Sequence, residues 1–278
     1  MNYRHAYHAG NFADVVKHAL LTLVLAHLRR KETPFCVVDT HAGTGCYDLA
    51  GIEAGKTGEA RDGVAALLAA GELPPLLDDY VEALKAINPD WPTLRYYPGS
   101  PRIARHMLRP QDRLALVELH PEDADLLRRE FRNDPQTGVH VQDAYVALKA
   151  LLPPKERRGL VLIDPPFEVR DEFRRIIKGL GEALRRWPNG IYGVWYPIKD
   201  PEPVERFLAE VASLGRPCFT AELMRHASDD PDRLNGTGLV ILNPPWQLAD
   251  KLAELLPVLC DKLGAAGGSR LRWLAGEE

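Results

Sequence analysis

Cysteine is scarce in this 278-residue sequence: Cys36, Cys46, Cys218 and Cys260 are scattered, and no two stand as Cys-x-x-Cys. That pattern excludes a zinc ribbon and a disulfide scaffold, and it suits a reducing cytoplasm. Long apolar runs are lacking too. The run from Leu20 to Leu28 is broken by Thr22 and His27, far short of the roughly 20 residues of a membrane span. Met1-Asn2-Tyr3-Arg4-His5 has no apolar signal-peptide region. Positive charge is in deficit, with 35 Lys and Arg against 39 Asp and Glu, a net charge of −4 and a pI near 6.2. A general nucleic-acid coat is thereby excluded, and any polyanionic partner must meet a local basic face. His5 and His8 have no third or fourth metal ligand in view and read as a solvated leader. These absences lead us to expect a cytoplasmic, acidic monomer with no metal and no membrane association.

What is present is an ordinary soluble composition, 45% apolar and 27% charged, in a chain long enough to bury a large core. The informative stretch is Leu160-Val161-Leu162-Ile163-Asp164-Pro165-Pro166-Phe167. Its apolar run reads as a strand buried on both faces, as in a parallel sheet. Pro165 and Pro166 have no N–H, so the strand stops at Asp164. Asp164 is thereby held at the carboxyl end of a buried strand, the edge where open α/β sheets bind ligands.

Three further strands end in acids. Pro34–Asp39 is followed by Thr40-His41-Ala42-Gly43-Thr44-Gly45, whose glycines let the backbone approach a ligand closely. Leu114–Glu118 places a carboxylate where it can accept both hydroxyls of a ribose, and Val139–Ala144 places Asp143 where it can accept from an adenine amino group. Taken singly, each acid is more commonly a cap or a solvated turn. Four in succession, with helices between, point to a cofactor edge.

The remaining organisation follows. Asn11 caps a helix to about Arg30 with Val15, Val16, Ala19, Leu20, Leu23, Val24 and Leu28 on its buried side, and Asp14, Lys17 and His18 can share a polar face. Residues 51–95 read as a helical subdomain inserted after the first motif, and Ser100 caps a helix with Pro101 at its first position. Three more strands are expected at 190–197, 218–224 and 237–243, with the seventh antiparallel beside the sixth, and then a short C-terminal segment after a helix over 247–263. The strand over 237–243 ends Asn243-Pro244-Pro245-Trp246, a rival to the Asp164 motif. Because it belongs near the sheet edge, Asn243 reads as structural. The expected fold is α/β and Rossmann-like: a single domain over 1–278 with a seven-stranded, mostly parallel sheet.

Asp164-Pro165-Pro166-Phe167 resembles the [Asp/Asn/Ser]-Pro-Pro-[Tyr/Phe/Trp] motif of methyltransferases acting on exocyclic amino groups. Tyr-Arg-His-x-x-His-Ala-Gly-Asn at 3–11, Asp-Thr-His-Ala-Gly-x-Gly at 39–45, Tyr-Tyr-Pro-Gly-Ser-Pro at 96–101 and Glu-Leu-His-Pro at 118–121 resemble the RlmJ family over essentially the whole chain. That resemblance implies N6-methylation of an adenine in 23S ribosomal RNA with S-adenosyl-L-methionine. It also implies contacts to the cofactor from His18, His41, Gly43, Ser100, Glu118, Asp143, Ala144 and Asp164. Asp164, with Pro165 and Phe167, carries the chemistry, and Tyr3, His5 and Lys17 lie on the substrate side. The family's usual fourth motif residue is Tyr; Phe167 keeps a stacking face and loses a hydroxyl. Arg4, His5, His8, Lys17, Arg225 and Arg233 are candidate phosphate contacts. Two alternatives stay open: an amino methyltransferase acting on DNA adenine or cytosine or on protein glutamine, and a non-catalytic RNA-binding protein that kept the fold.

Overall fold

The computed structural model describes residues 4–227, 230 and 233–276; the Tyr3 expectation lies outside them. Eight strands form one sheet: β1 Cys36–Asp39, β2 Arg113–Glu118, β3 Thr137–Val141, β4 Gly159–Ile163, β5 Ile191–Ile198, β6 Cys218–Met224, β7 Gly236–Leu242 and β8 Gly268–Ala275. Their spatial order is β8-β6-β7-β5-β4-β1-β2-β3. The five strands β3 to β5 across this order are parallel, whereas β7 is antiparallel to both β5 and β6. This is the expected Rossmann-like arrangement. From the gap between β1 and β4 the chain winds outward in opposite directions, which opens a crevice at their carboxyl ends.

The expected seven strands are in fact eight. β8, read from sequence as a short terminal segment, pairs antiparallel with β6. Arg270 and Arg272 gave it a loop-like composition. They point instead to carboxylates, Arg270 to Glu222 at 2.7 Å and Arg272 to Glu205 at 2.8 Å, while Trp273 packs edge-on against Phe219.

Side chains alternate across the central strands and feed two cores. Val37, Leu160 and Leu162 face one layer with Leu20, Ile103 and Leu252, and Val38, Val161 and Ile163 face the other with Ile176, Leu180 and Phe207. Both faces are covered, which is why β4 reads as an unbroken apolar run.

The first helix, Phe12–Arg29, starts where the Asn11 side chain accepts the Asp14 N–H at 2.9 Å. It is buried on nearly every side, from Ala13 through Leu25. One flank meets the sheet layer, and another meets helices Val64–Ala69 and Asp78–Ile87, whose Val64, Leu67, Tyr80 and Leu84 join the same core. A short hairpin, Cys46–Asp48 with Tyr96–Pro98, brackets these inserted helices. Buried Asn88 ties its far end, donating to the Leu84 and Tyr96 carbonyls and accepting from the Arg95 and Tyr96 N–H groups. A helix buried all round has no solvated face for its polar residues, so Asp14, Lys17 and His18 must find partners inside.

Gly159 opens β4 with φ +151, and a Cβ there would lie 1.8 Å from the Cys36 carbonyl oxygen. Backbone on the neighbouring strand cannot move aside without breaking the β1–β4 ladder. Gly159→Ala is expected to destabilise the protein by about 3 kcal/mol or more, read as a drop in the urea midpoint at unchanged m-value. An unchanged midpoint would show that the β1–β4 register yields more easily than this geometry allows.

Candidate active site

A cleft of about 1090 Å³ opens at the carboxyl ends of β1, β2 and β4. Asp39 and Glu118 are the last residues of β1 and β2, Asp164 lies one residue beyond β4, and Asp143 two beyond β3. The buried Glu118 carboxylate accepts the Gly43 N–H at 2.8 Å and the His120 N–H at 2.7 Å. Burial still raises its pKa. Gly43 has φ +57, and a Cβ there would stand 2.2 Å from the Tyr47 hydroxyl, so only glycine brings its amide to Glu118. Asp143 caps the helix Ala144–Leu151 through the Tyr145 and Val146 N–H groups, and its other oxygen meets Arg175 at 2.9 Å. Asp39 is buried; its Oδ2 has no hydrogen-bond partner among the described residues, and burial pushes its pKa up to about 6.

The strongest electrostatic feature runs through the first helix. Lys17 Nζ lies 2.8 Å from Asp14 Oδ1 and 2.5 Å from Asp164 Oδ2, with only 5% of the lysine side chain exposed. Asp14 Oδ2 in turn accepts the Gly10 N–H and meets His5 Nε2, both at 2.9 Å. For Lys17, burial opposes the charge, but the Asp14 and Asp164 carboxylates outweigh it and raise the pKa. For Asp14, burial likewise opposes the charge, but His5 and Lys17 hold the carboxyl well below its usual range. Lys17 therefore stays an ammonium, and it is a buried tie between two carboxylates, not the phosphate contact considered from sequence.

Two histidines beside this chain are neutral. Burial lowers His18 to about 3 and His41 to about 4. His18 Nδ1 is 2.7 Å from the Tyr97 hydroxyl, and its Nε2 has no partner among the described residues. His41 Nδ1 is 2.9 Å from the Thr40 hydroxyl and 3.3 Å from the Asp164 N–H. Ser100, the first residue of the helix Ser100–Met107, is buried in the same wall.

The Asp164 turn is strained at its end. Phe167 has φ +51, a left-handed conformation costing a bulky residue about 1–3 kcal/mol. Its ring is held edge-on by Phe173 at 5.0 Å and Trp195 at 5.8 Å. Asn243 also has positive φ, but its amide donates to the Pro188 and Gly190 carbonyls. Since β7 runs antiparallel to β5, Asn243 sits at the opposite edge of the sheet from Asp164.

Every expected site residue other than Tyr3 lines this one cleft, from His5, Lys17 and His18 to Asp164, Pro165 and Phe167. The expected phosphate contacts fare differently. Arg4 pairs with Glu122 and Asp123, His8 with Glu59, and Arg225 with the Leu263 carbonyl. Arg233 meets the Asn235 side chain. Several residues of the site were not singled out from sequence: Arg175 against Asp143 and Trp195 and Phe173 around Phe167 line the cleft, and Tyr97 lies behind His18. Tyr97 alone carried a signal, its place in Tyr-Tyr-Pro-Gly-Ser-Pro. The others come from elements distant in sequence and have no local signature.

Residues 32–275 match the family model described as ribosomal RNA large subunit methyltransferase D, RlmJ. Over 280 residues, with 100% of both chains covered, the protein is 40% identical to the ribosomal RNA large subunit methyltransferase J of Escherichia coli (strain K12), and equally to that of Haemophilus influenzae. A crystal structure of a protein from Legionella pneumophila superposes with a TM-score of 0.88 at 36% identity, covering 98% of this chain and 99% of that one.

Two measurements test the electrostatics. Lys17→Met leaves buried Asp14 and partly buried Asp164 without their shared cation, and is expected to cost about 3–5 kcal/mol. The double variant with Asp14→Asn should cost less than the sum of the singles; strict additivity would show that the pair is not coupled. The second is pH dependence. Between about pH 6 and 4 the unfolded chain protonates His18 and His41 while the folded one does not, and folded Asp39 holds one proton the unfolded chain lacks. The net is one proton more on the unfolded side, so these three groups make stability fall by about 1.4 kcal/mol per pH unit on acidification. Asp39→Asn removes the opposing proton and should steepen the slope by a similar amount; an identical slope would refute the assignment.

Proposed function

The chain belongs to the RlmJ family of large-subunit ribosomal RNA methyltransferases, and from that premise we propose that it methylates N6 of one adenine in 23S ribosomal RNA. Its cofactor is S-adenosyl-L-methionine. The observation that carries the choice of an exocyclic amino group is Asp164 at the Asp-Pro-Pro-Phe turn, fixed by Lys17 at 2.5 Å within the cleft. The cleft has the donors and acceptors this cofactor needs. Glu118 accepts from the ribose, and Asp143 with Ala144 borders the adenine. His18, His41, Gly43 and Ser100 surround the amino-acid end. Orphaned polar atoms on His18 and Asp39, both buried, are the kind a polar ligand satisfies.

When bound, S-adenosyl-L-methionine supplies an electrophilic methyl group on a sulfonium. An adenine amino nitrogen is a poor nucleophile because its lone pair is delocalised into the ring. Lys17 occupies Asp164 Oδ2, and no donor among the described residues bonds Oδ1. We assign Oδ1 and the Pro165 carbonyl to the two N–H groups of the target. Accepting those bonds turns the lone pair toward the methyl and stabilises the positive charge that develops on nitrogen. The fixed turn holds this geometry before substrate arrives. Phe167 offers its face to a base drawn out of its stack, contributing about 1–3 kcal/mol. His5 acts from the substrate side through Asp14. Exposed Arg170 and Lys199 at the cleft rim are better placed for phosphates than the cations tied up in protein contacts. The protein acts as a single-domain cytoplasmic monomer, with residues 51–95 as its helical subdomain.

The test uses the wild type and Asp164→Ala with labelled cofactor and total RNA lacking the modification, digested to nucleosides. Label in N6-methyladenosine from large-subunit RNA, reduced by at least about 100-fold in the variant, is the expected result. Label in DNA or protein instead would keep the chemistry and overturn the substrate. Cofactor binding without any transfer would favour the binding-protein alternative.

A further inference from the structure

Tyr97 and Tyr80 are fully buried, and neither is part of the acid series or of the Asp164 turn. Their hydroxyls lie 3.1 Å apart, and the Tyr97 hydroxyl lies 2.7 Å from His18 Nδ1. Burial raises the pKa of both phenols, so each keeps its proton. His18 is fully buried and neutral, with one ring proton to place. Three groups in a row therefore share three protons, and three arrangements make both hydrogen bonds; the one in which Tyr97 accepts from both neighbours leaves its own buried O–H without an acceptor among the described residues, so two remain. In one, His18 donates from Nδ1 to Tyr97, Tyr97 donates to Tyr80, and Nε2 is a bare lone pair. In the other, Tyr80 donates to Tyr97, Tyr97 donates to Nδ1, and the ring proton sits on Nε2.

We propose that Tyr97, backed by Tyr80, is a positioning residue that sets the tautomer of His18, making its Nε2–H a donor to the carboxylate of the cofactor's methionine. The inference rests on the assignment of His18 to the cofactor made above. Nε2 is buried, lacks a partner among the described residues and belongs to a side chain lining the cleft. Tyr97 stands three residues before Ser100, the first residue of the helix Ser100–Met107. The open amides of that helix end favour an anionic group in the same wall. An anion there selects the arrangement with the proton on Nε2, since the bare lone pair would repel it. Neither phenol has to touch the cofactor. The second-layer hydroxyls decide whether the histidine attracts or repels the carboxylate.

The test is calorimetric binding of two ligands to the purified protein and its variants. S-adenosylhomocysteine carries the carboxylate, and 5′-methylthioadenosine lacks the amino-acid tail. Tyr97→Phe should weaken S-adenosylhomocysteine about tenfold, and Tyr80→Phe should weaken it by a smaller factor. Both variants should leave 5′-methylthioadenosine unchanged. Equal weakening of both ligands would reduce Tyr97 to a packing role and overturn the proposal, as would no weakening at all. His18→Leu separates the two levels of inference: if it spares both ligands, the cofactor assignment of His18 fails, whereas a loss confined to S-adenosylhomocysteine keeps that assignment and leaves Tyr97 to stand alone. ¹⁵N spectra of the wild type bound to S-adenosylhomocysteine need no variant to fold. The expected signature is a neutral His18 protonated at Nε2, and protonation at Nδ1 overturns the relay.

Discussion

A single buried ammonium joins the parts of this protein that sequence order keeps apart. Lys17 belongs to the first helix, and Asp164 lies one residue beyond the fourth strand, 147 residues later. The 2.5 Å contact between them crosses from a helix layer to the sheet edge, and Asp14 at 2.8 Å balances the lysine from its own helix. Two charges cannot be taken out of water alone, since the desolvation of each amounts to several kcal/mol. The arrangement is tolerable because it alternates in sign, from Asp14 through Lys17 to Asp164, with His5 hydrogen-bonded to Asp14. Such a chain contributes little net stability compared with apolar packing of the same volume. It contributes position: one oxygen of Asp164 is committed to Lys17, which fixes the carboxylate.

The same requirement explains why the first helix is sandwiched between the sheet and the inserted helices. Were one flank open to water, Lys17 would find solvent and the carboxylate would lose its fixed partner. The residues that close the flank, such as Val64, Leu67 and Leu84, are apolar and remote from the chemistry, yet they set the dielectric in which the charge chain works. The left-handed Phe167 fits the same logic. A strained turn persists only where its surroundings over-determine it, here through Phe173 and Trp195 on one side and the β4 ladder on the other.

How much of this was legible in sequence depended on whether the signal was local. The strand ends at Asp39, Glu118 and Asp164 were legible because an apolar run meeting an acid and a turn is a local pattern. The Asn11 cap was legible for the same reason. Lys17 was placed on a polar helical face with Asp14, which is correct in spacing and incomplete in consequence: no local pattern shows that the face is buried against β4. Asp143 looked like the other strand-end acids, but β3 stops at Val141, and the carboxylate is shared between a helix cap and Arg175. β8 was missed because edge strands carry charge, and Arg270 and Arg272 masked the alternation of Leu271 and Trp273. The long-range partners had no signature to find.

The two Pro-Pro motifs make the limit of local reading sharpest. Asp164-Pro-Pro-Phe and Asn243-Pro-Pro-Trp each end a fully buried strand, and each has a residue with positive φ. Local chemistry gives little reason to prefer one. Topology separates them: β4 is parallel to β1 and ends beside the glycines of the first motif, whereas β7 reverses direction and ends at the far edge, where Asn243 satisfies two carbonyls of the turn before β5. A polar group whose hydrogen bonds are already made by the backbone around it holds structure. One that lines a cleft with an oxygen no donor among the described residues occupies is left available to a ligand. The direction of a strand, more than the residues at its end, decides which of these a Pro-Pro turn becomes.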